Sequence, residues 1–154
     1  ASLMSKTADG RGLPLKIDCP ASLRPIEADE RRLKQALCNL VSNSIKYSST
    51  GTAIKLSARQ KNGELVVSVA DAGVGIAEED QQRVFNAFER GTGADPKSGA
   101  GLGLALVKRI IELHGGRVSI DSAPKRGTIV TCFVPAAARP ATEAANPTAP
   151  HAAA

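Results

Sequence analysis

Three glycines at every second position, Gly99, Gly101 and Gly103, open onto an amphipathic helix in the stretch 98–114, SGAGLGLALVKRIIELH. Lacking Cβ atoms, they let the backbone take positive φ and approach a ligand closely. The helix that follows turns its first unpaired N–H groups and its positive dipole end toward that loop. Together these features suit an anion, most simply a phosphate; a flexible hinge before an ordinary helix fits the same residues. A second set lies at 35–46, where Gln35, Asn39, Asn43 and Lys46 recur at spacings of four, four and three and so share one helical stripe. Asn is a mediocre helix former. Two of them a turn apart form either a solvated helix edge or a pair of amide oxygens beside a metal–phosphate, with Lys46 adding positive charge. Hard cations such as Mg²⁺ take oxygen ligands and keep phosphate and water in their shell, so one amide oxygen suffices. The third candidate is Asp71, which continues the parity of Leu65, Val67 and Val69 at the end of an alternating strand. A buried carboxylate needs a donor. Either Asp71 caps its own turn, or, with Ala72-Gly73-Val74-Gly75-Ile76 opening the backbone to a flat ligand, it receives the amino group of an adenine.

The elements that must position these groups follow from periodicity. Residues 13–19 alternate Leu13, Leu15, Ile17 and Cys19 against polar neighbours, a half-buried strand. A short extended piece is expected at 25–28. Asp29 is then a suitable N-cap for a helix over 30–47 whose apolar face is Leu33, Leu37, Leu40, Val41 and Ile45. A turn at 48–52 leads to strands at 52–60 and 64–71, joined by the hairpin signal Asn62-Gly63. Residues 72–100 carry too many Gly and Pro for continuous structure. Only 77–88 suits a helix or two short turns, and a loop of this length inside a domain is usually a functional lid. The glycine-led helix stops at Gly115-Gly116, and strands at 117–122 and 128–134 close the domain. Of the twenty residues from Pro135 onward, ten are Ala and four Pro, so 136–154 is expected to be a disordered tail. Residues 1–12 read as a lead-in and 13–135 as the domain. Hairpins alternating with helices predict an α/β two-layer sandwich, a mixed sheet with helices on one face.

Composition narrows the class. With 154 residues and 42% hydrophobic content the chain can bury one core, and with three Phe, one Tyr and no Trp that core must be aliphatic. The net charge of +5 is spread among acids, without the basic run or aromatic interleaving of a nucleic-acid surface. Cys19, Cys38 and Cys132 lack any C-x-x-C spacing and suit buried, reduced thiols. No apolar run approaches a membrane span. The expectation is a soluble, cytoplasmic domain without membrane contact, cut from a larger parent that is itself free to be membrane-anchored.

In combination and in order, these residues resemble the ATP-binding catalytic domain of bacterial sensor histidine kinases, within the superfamily of gyrase, Hsp90 and MutL ATPases. Asn39-Leu-Val-Ser-Asn43-Ser-Ile-Lys46-Tyr47 resembles the family's N box. Asp71-Ala-Gly73-Val-Gly75-Ile76 is similar to the first glycine box and Phe85-Asn-Ala-Phe88-Glu-Arg90 to the F box. Gly99-Ala-Gly101-Leu102-Gly103-Leu104 is similar to the second glycine box, and Gly127-Thr128 to the short last one. The resemblance implies a mixed five-stranded sheet, about three helices over one face and a flexible ATP lid. It makes ATP and Mg²⁺ the cofactors, with Asn43 the metal ligand and Asn39 nearby. Lys46 and Tyr47 would contact phosphates or ribose. Asp71 would accept the adenine amino hydrogens, with Thr128 close by through water, and Gly73, Gly75 and Ile76 would form the adenine floor. Gly101, Leu102 and Gly103, flanked by Gly99 and Leu104, would offer N–H groups to the phosphates. Phe85 and Phe88 would anchor the lid, and Arg90 would reach toward the γ-phosphate.

The gyrase-like ATPases place a Glu where this chain has Asn39. An amide cannot take a proton from water at neutral pH, so hydrolysis should be poor, whereas phosphoryl transfer asks mainly for positioning and charge neutralisation. The resemblance places the phosphoacceptor His on a separate dimerisation domain, through which a response regulator is engaged. His114 reads as structural and His151 lies in the tail, so no catalytic residue is expected within this chain. Two alternatives stay open: a non-catalytic regulatory domain that binds nucleotide and docks on another kinase, or a gyrase/Hsp90-type ATPase module.

Overall fold

Strand β1 (Leu15–Asp18) leads to helix α1 (Glu30–Tyr47) in a computed structural model that describes residue 8 and residues 10–87 and 101–136. Strands β2 (Ile54–Lys61) and β3 (Glu64–Asp71) follow, then a one-turn helix α2 (Glu78–Gln81) and a 3₁₀ turn (Arg83–Phe85). Helix α3 (Gly103–Leu113) and strands β4 (Arg117–Ala123) and β5 (Gly127–Pro135) complete the domain. The strands form one five-stranded sheet in the order β1-β2-β3-β5-β4, with β1 parallel to β2 and every other pair antiparallel. The mixed two-layer sandwich expected from the alternation of hairpins and helices is the observed architecture.

Local chemistry explains where the elements begin and end. The Asp29 side chain accepts the Arg32 N–H at 3.0 Å and starts α1. Asn62 and Gly63 both take positive φ, 53° and 76°, in the tight turn that sets the β2–β3 register. Helix α3 ends with Gly115 N–H on the Glu112 carbonyl and Gly116 N–H on that of Ile111, both 2.9 Å, the paired bonds of a Schellman stop. Residues 77–88 resolve into the two short turns foreseen as one option, although Phe88 and the remainder of the lid through residue 100 lie outside the described residues. The Ala/Pro-rich tail beyond residue 136 does so as well.

The core lies between the two long helices and the covered face of the sheet. Leu40, Val41 and Ile45 of α1 and Val107, Ile110 and Ile111 of α3 pack with Ile54, Val69, Val130, Cys132 and Val134, all buried. Each such aliphatic side chain contributes about 1.5–3 kcal/mol of burial. The α1 face differs slightly from its expected composition. Ala36 and Ser44 are among its buried residues, while Leu33 and Leu37 are half-buried.

Three expectations need correction. Strand β1 is shorter than 13–19, and Ile17 is half exposed (50%), because β1 is an edge strand that only its Leu15 end tucks under the core. Residues 25–28 form no ladder. Pro25 has no N–H to give, and the segment is pinned instead by Gln60, whose side chain accepts from Arg24 N–H (2.9 Å) and donates to the Arg24 carbonyl (2.8 Å). Of the three cysteines only Cys132 is buried, its thiol pushed up to about 12 by desolvation. Cys19 and Cys38 are exposed, one just past the end of β1 and the other outside the buried face of α1.

Candidate functional site

On the covered face of the sheet the apolar rows end in a polar one. Val69, Val130 and Ile120 pair across β3, β5 and β4, and the next row at the same end is Asp71, Thr128 and Ser122. All three continue the buried parity of their strands. The Asp71 carboxylate accepts the Ser44 hydroxyl of α1 at 3.0 Å, the Gly73 N–H at 3.0 Å and the Thr128 backbone N–H. Burial lifts its pKa above the ordinary 3.8, and the Gly73, Ser44 and Thr128 donors pull it part of the way back. Three donors leave part of the carboxylate's acceptor capacity for a ligand.

The loop after β3 is held against the end of α1. Val74 N–H donates to the Tyr47 carbonyl at 3.3 Å, and Ser48 and Gly73 form an isolated antiparallel bridge. A Cβ on Gly73 would overlap the Tyr47 carbonyl oxygen, so no other residue permits this approach. Gly75 takes φ +73° with its Cα face on the Ala123 carbonyl, and Ile76 N–H reaches the Ser122 hydroxyl at 2.8 Å.

Beyond Ser44, α1 and α3 meet. A Cβ on Gly103 would stand 3.1 Å from Asn43 Nδ2 and 3.3 Å from Asn43 Oδ1, which puts the Asn43 carboxamide directly against the first residue of α3. Helix α3 begins at Leu102 without a side-chain cap, and Leu102 is 43% exposed. Among the described residues no side-chain cap bond closes its opening turn, whose N–H groups suit an acceptor. Leu104 lends its backbone to that turn while its side chain joins the core. Asn39 lies half-buried one turn before Asn43; Lys46 is exposed, its ammonium 5.1 Å from the centre of the Tyr47 ring. The stripe's first member, Gln35, is exposed toward the far end of the helix, in a hollow shared with Arg31, Lys34 and Cys38.

The structure therefore groups Asp71 and Thr128 with Gly73, Gly75 and Ile76 at the end of the sheet, with the Tyr47 backbone against Gly73, and sets Asn43 against Gly103 at the start of α3; Lys46 lines a separate recess with Arg11, Leu13 and Thr50. Phe88, Arg90 and Gly99 lie outside the described residues. His114 is buried away from both groups. Its Nε2 accepts Asp29 N–H at 3.1 Å and its Nδ1–H donates to the Ile110 carbonyl at 2.7 Å, which fixes a neutral imidazole joining the end of α3 to the start of α1. Sequence reasoning missed Ser44 and Ser122. Each carried a readable signal, a hydroxyl on an otherwise apolar stripe or strand parity, the same signal that singled out Asp71.

The family model for the "Histidine kinase-, DNA gyrase B-, and HSP90-like ATPase" matches residues 28–138. The chain belongs to that family. Among similar proteins in this ATPase family is the sensor-like histidine kinase SenX3 of Mycobacterium tuberculosis, 40% identical over 131 residues, covering 84% of this chain and 32% of that protein. The histidine protein kinase DivJ of Caulobacter vibrioides is 38% identical over 149 residues, covering 96% of this chain and 25% of its own length. The chain thus spans about a third or less of these relatives. Among solved structures, the nucleotide-free catalytic domain of the histidine kinase ThkA superposes with a TM-score of 0.77 at 28% identity, over 88% of this chain and 87% of that one. Full-length ShkA in complex with AMPPNP gives 0.78 at 34% identity, over 89% and 28%. The fold is that of a histidine kinase catalytic domain.

Proposed function

We propose that this chain is the ATP-binding catalytic domain of a two-component sensor histidine kinase, which holds ATP and presents its γ-phosphate to a His on a separate dimerisation domain. The observation that carries the reading is convergence. Neighbouring residues of α1 reach both halves of the site: Ser44 bonds the inward carboxylate of Asp71, and the Asn43 amide lies against Gly103 at the glycine-opened start of α3. The assignments at the base end are Asp71 as acceptor for the adenine amino group, Gly73, Gly75 and Ile76 as the floor, and Thr128 beside it. At the phosphate end, the N–H groups of α3's first turn and Lys46 meet the negative charge, and Tyr47 lies against ribose or phosphate. Phe88, Arg90 and Gly99 complete the assignment from the family's motifs alone.

The residues fit Mg²⁺ in the manner of a nucleotide-borne ion. Among the described residues no three His, Cys, Asp or Glu side chains cluster as a metal cage, and the Asn43 amide oxygen beside the phosphate-facing helix start supplies one hard ligand. When bound, the ion neutralises charge on the phosphates. The chain's own residues orient the nucleotide and supply donors; the Asn39 amide is too weak a base to take a proton from water, which favours transfer over hydrolysis. The response regulator meets the same parent through the dimerisation domain. ATP as donor places the domain in the cytoplasm; no helix among the described residues is long and apolar enough to cross a membrane.

The test mixes this chain with Mg·ATP and a His-bearing dimerisation domain of a similar sensor kinase. The expected outcome is ATP binding by the chain alone, phosphate transfer only with the added domain, and slow phosphate release. Binding without transfer to any acceptor domain would favour the regulatory alternative, and rapid release an ATPase.

A further inference from the structure

The polar row that ends the covered sheet face contains a hydroxyl to which none of the nucleotide-contact assignments gives a role. Ser122 is buried, and its Oγ has three partners: Ile76 N–H at 2.8 Å, the Gly127 carbonyl at 2.8 Å and Thr128 Oγ1 at 2.9 Å. A serine hydroxyl has one proton and two lone pairs. The Ile76 N–H can only donate, so it occupies one lone pair. The Gly127 carbonyl can only accept, so it takes the proton. One lone pair then remains for Thr128, and Thr128 must be the donor of that bond. The Ser122 backbone is held as firmly, its carbonyl accepting from Gln81 Nε2 at 2.8 Å.

We propose that Ser122 is a specificity-determining positioning residue: by taking the Thr128 hydroxyl proton it leaves Thr128 beside Asp71 as a hydrogen-bond acceptor only. Thr128 and Asp71 are cross-strand partners, so their side chains stand next to each other on one face of the sheet. The ionised carboxylate is also an acceptor only. An edge built from two acceptors matches the 6-amino group of adenine, which brings two N–H donors, directly or through a water that donates to Thr128. The 6-oxo group of hypoxanthine or guanine brings lone pairs and is repelled by both. Ser122 touches no nucleotide in this arrangement; it acts through the rotor state of Thr128. The inference rests on the reading of Asp71 as the base contact.

The experiment compares binding of ATP and of inosine triphosphate, its 6-oxo counterpart, by calorimetry. In Ser122→Ala the Thr128 proton is released to donate to a 6-oxo group, and the preference for ATP should narrow by about fivefold, the scale of one exchanged hydrogen bond. In a Thr128→Val background the same change should leave the preference where Thr128→Val alone puts it, because the rotor it controls is gone. A purely structural Ser122 would weaken both nucleotides by one factor, or would shift the preference equally in both backgrounds; either result overturns the proposal. Should Ser122→Ala fail to fold, Thr128→Val alone still decides, since removal of the accepting hydroxyl must narrow the preference and an unchanged ratio refutes it. Asp71→Asn separates the two layers of the argument. If that change also leaves the ATP preference intact, the base contact itself is misplaced. If it abolishes the preference while Ser122→Ala does not, only the role of Ser122 is wrong.

Discussion

The two halves of the candidate site are built on opposite plans. At the base end, Asp71, Thr128, Ser122, Ile76, Gly73 and Ser44 are tied to one another by protein hydrogen bonds of 2.8–3.0 Å, on strands whose register leaves no slack. At the start of α3, the proposed phosphate end, the described groups are a helix N-terminus whose cap residue Leu102 makes no side-chain bond and the Asn43 amide pressed against it. The first is preorganised and reads shape and hydrogen-bond polarity. The second holds donors for charges that arrive with the ligand. On the proposed assignment, discrimination among bases would belong to the sheet and affinity for the triphosphate to the helices.

That division can be broken experimentally. The largest effect is expected from Asn43→Ala, which should remove Mg²⁺-dependent ATP binding, a loss of about a hundredfold or more, with the melting temperature nearly unchanged. Calorimetry with and without Mg²⁺ reads it, and an unaltered affinity would take Asn43 out of the metal role. Asp71→Asn should weaken adenine nucleotides by about 1–3 kcal/mol while leaving Mg²⁺ dependence in place. The same variant has a signature in stability. Because burial raises the Asp71 pKa, the residue's favourable contribution is complete below the ordinary 3.8 and is lost as pH rises through the lifted value. Denaturation of the apo chain between pH 3 and 7 should thus show a decline with rising pH that Asp71→Asn lacks, and identical profiles would deny the desolvation. His114→Ala should cost about 2 kcal/mol of stability, for a buried side chain with two hydrogen bonds, and leave nucleotide affinity of the folded protein alone. Loss of affinity without loss of stability would give His114 a part in the site. The smallest effect is expected from Lys46→Ala, a few-fold loss that shrinks with added salt because the charge is exposed. A salt-independent loss would point to a desolvated contact.

The frame of this fold was legible because its signals are local. Periodicity marked all five strands, Asn62-Gly63 marked the hairpin, and Gly115-Gly116 marked the helix stop. Edge behaviour was not legible, since Ile17 alternates as well as any covered residue and only the sheet order, set by long-range pairing, reveals that β1 lies outermost. For the site, residue type and spacing singled out Asn43, Asp71 and Gly103, and α1 carries both the Asn43 contact with Gly103 and the Ser44 bond to Asp71. Their convergence could not be read from spacing alone, because it depends on α1 packing along α3. Ser44 and Ser122 escaped notice for a different reason. A serine is common everywhere, and its meaning comes from which protons its neighbours have already claimed.

The imidazole bridge between Asp29 and Ile110 has a mechanical consequence. Helices α1 and α3 run in opposite directions, so His114 joins them where α1 begins and α3 ends, about 20 Å along α1 from the Asn43–Gly103 contact. The pair resembles tongs riveted at one end. The two hydrogen bonds resist sliding at that end, so on the proposed assignment any spreading to admit a triphosphate would be greatest at the Asn43–Gly103 end.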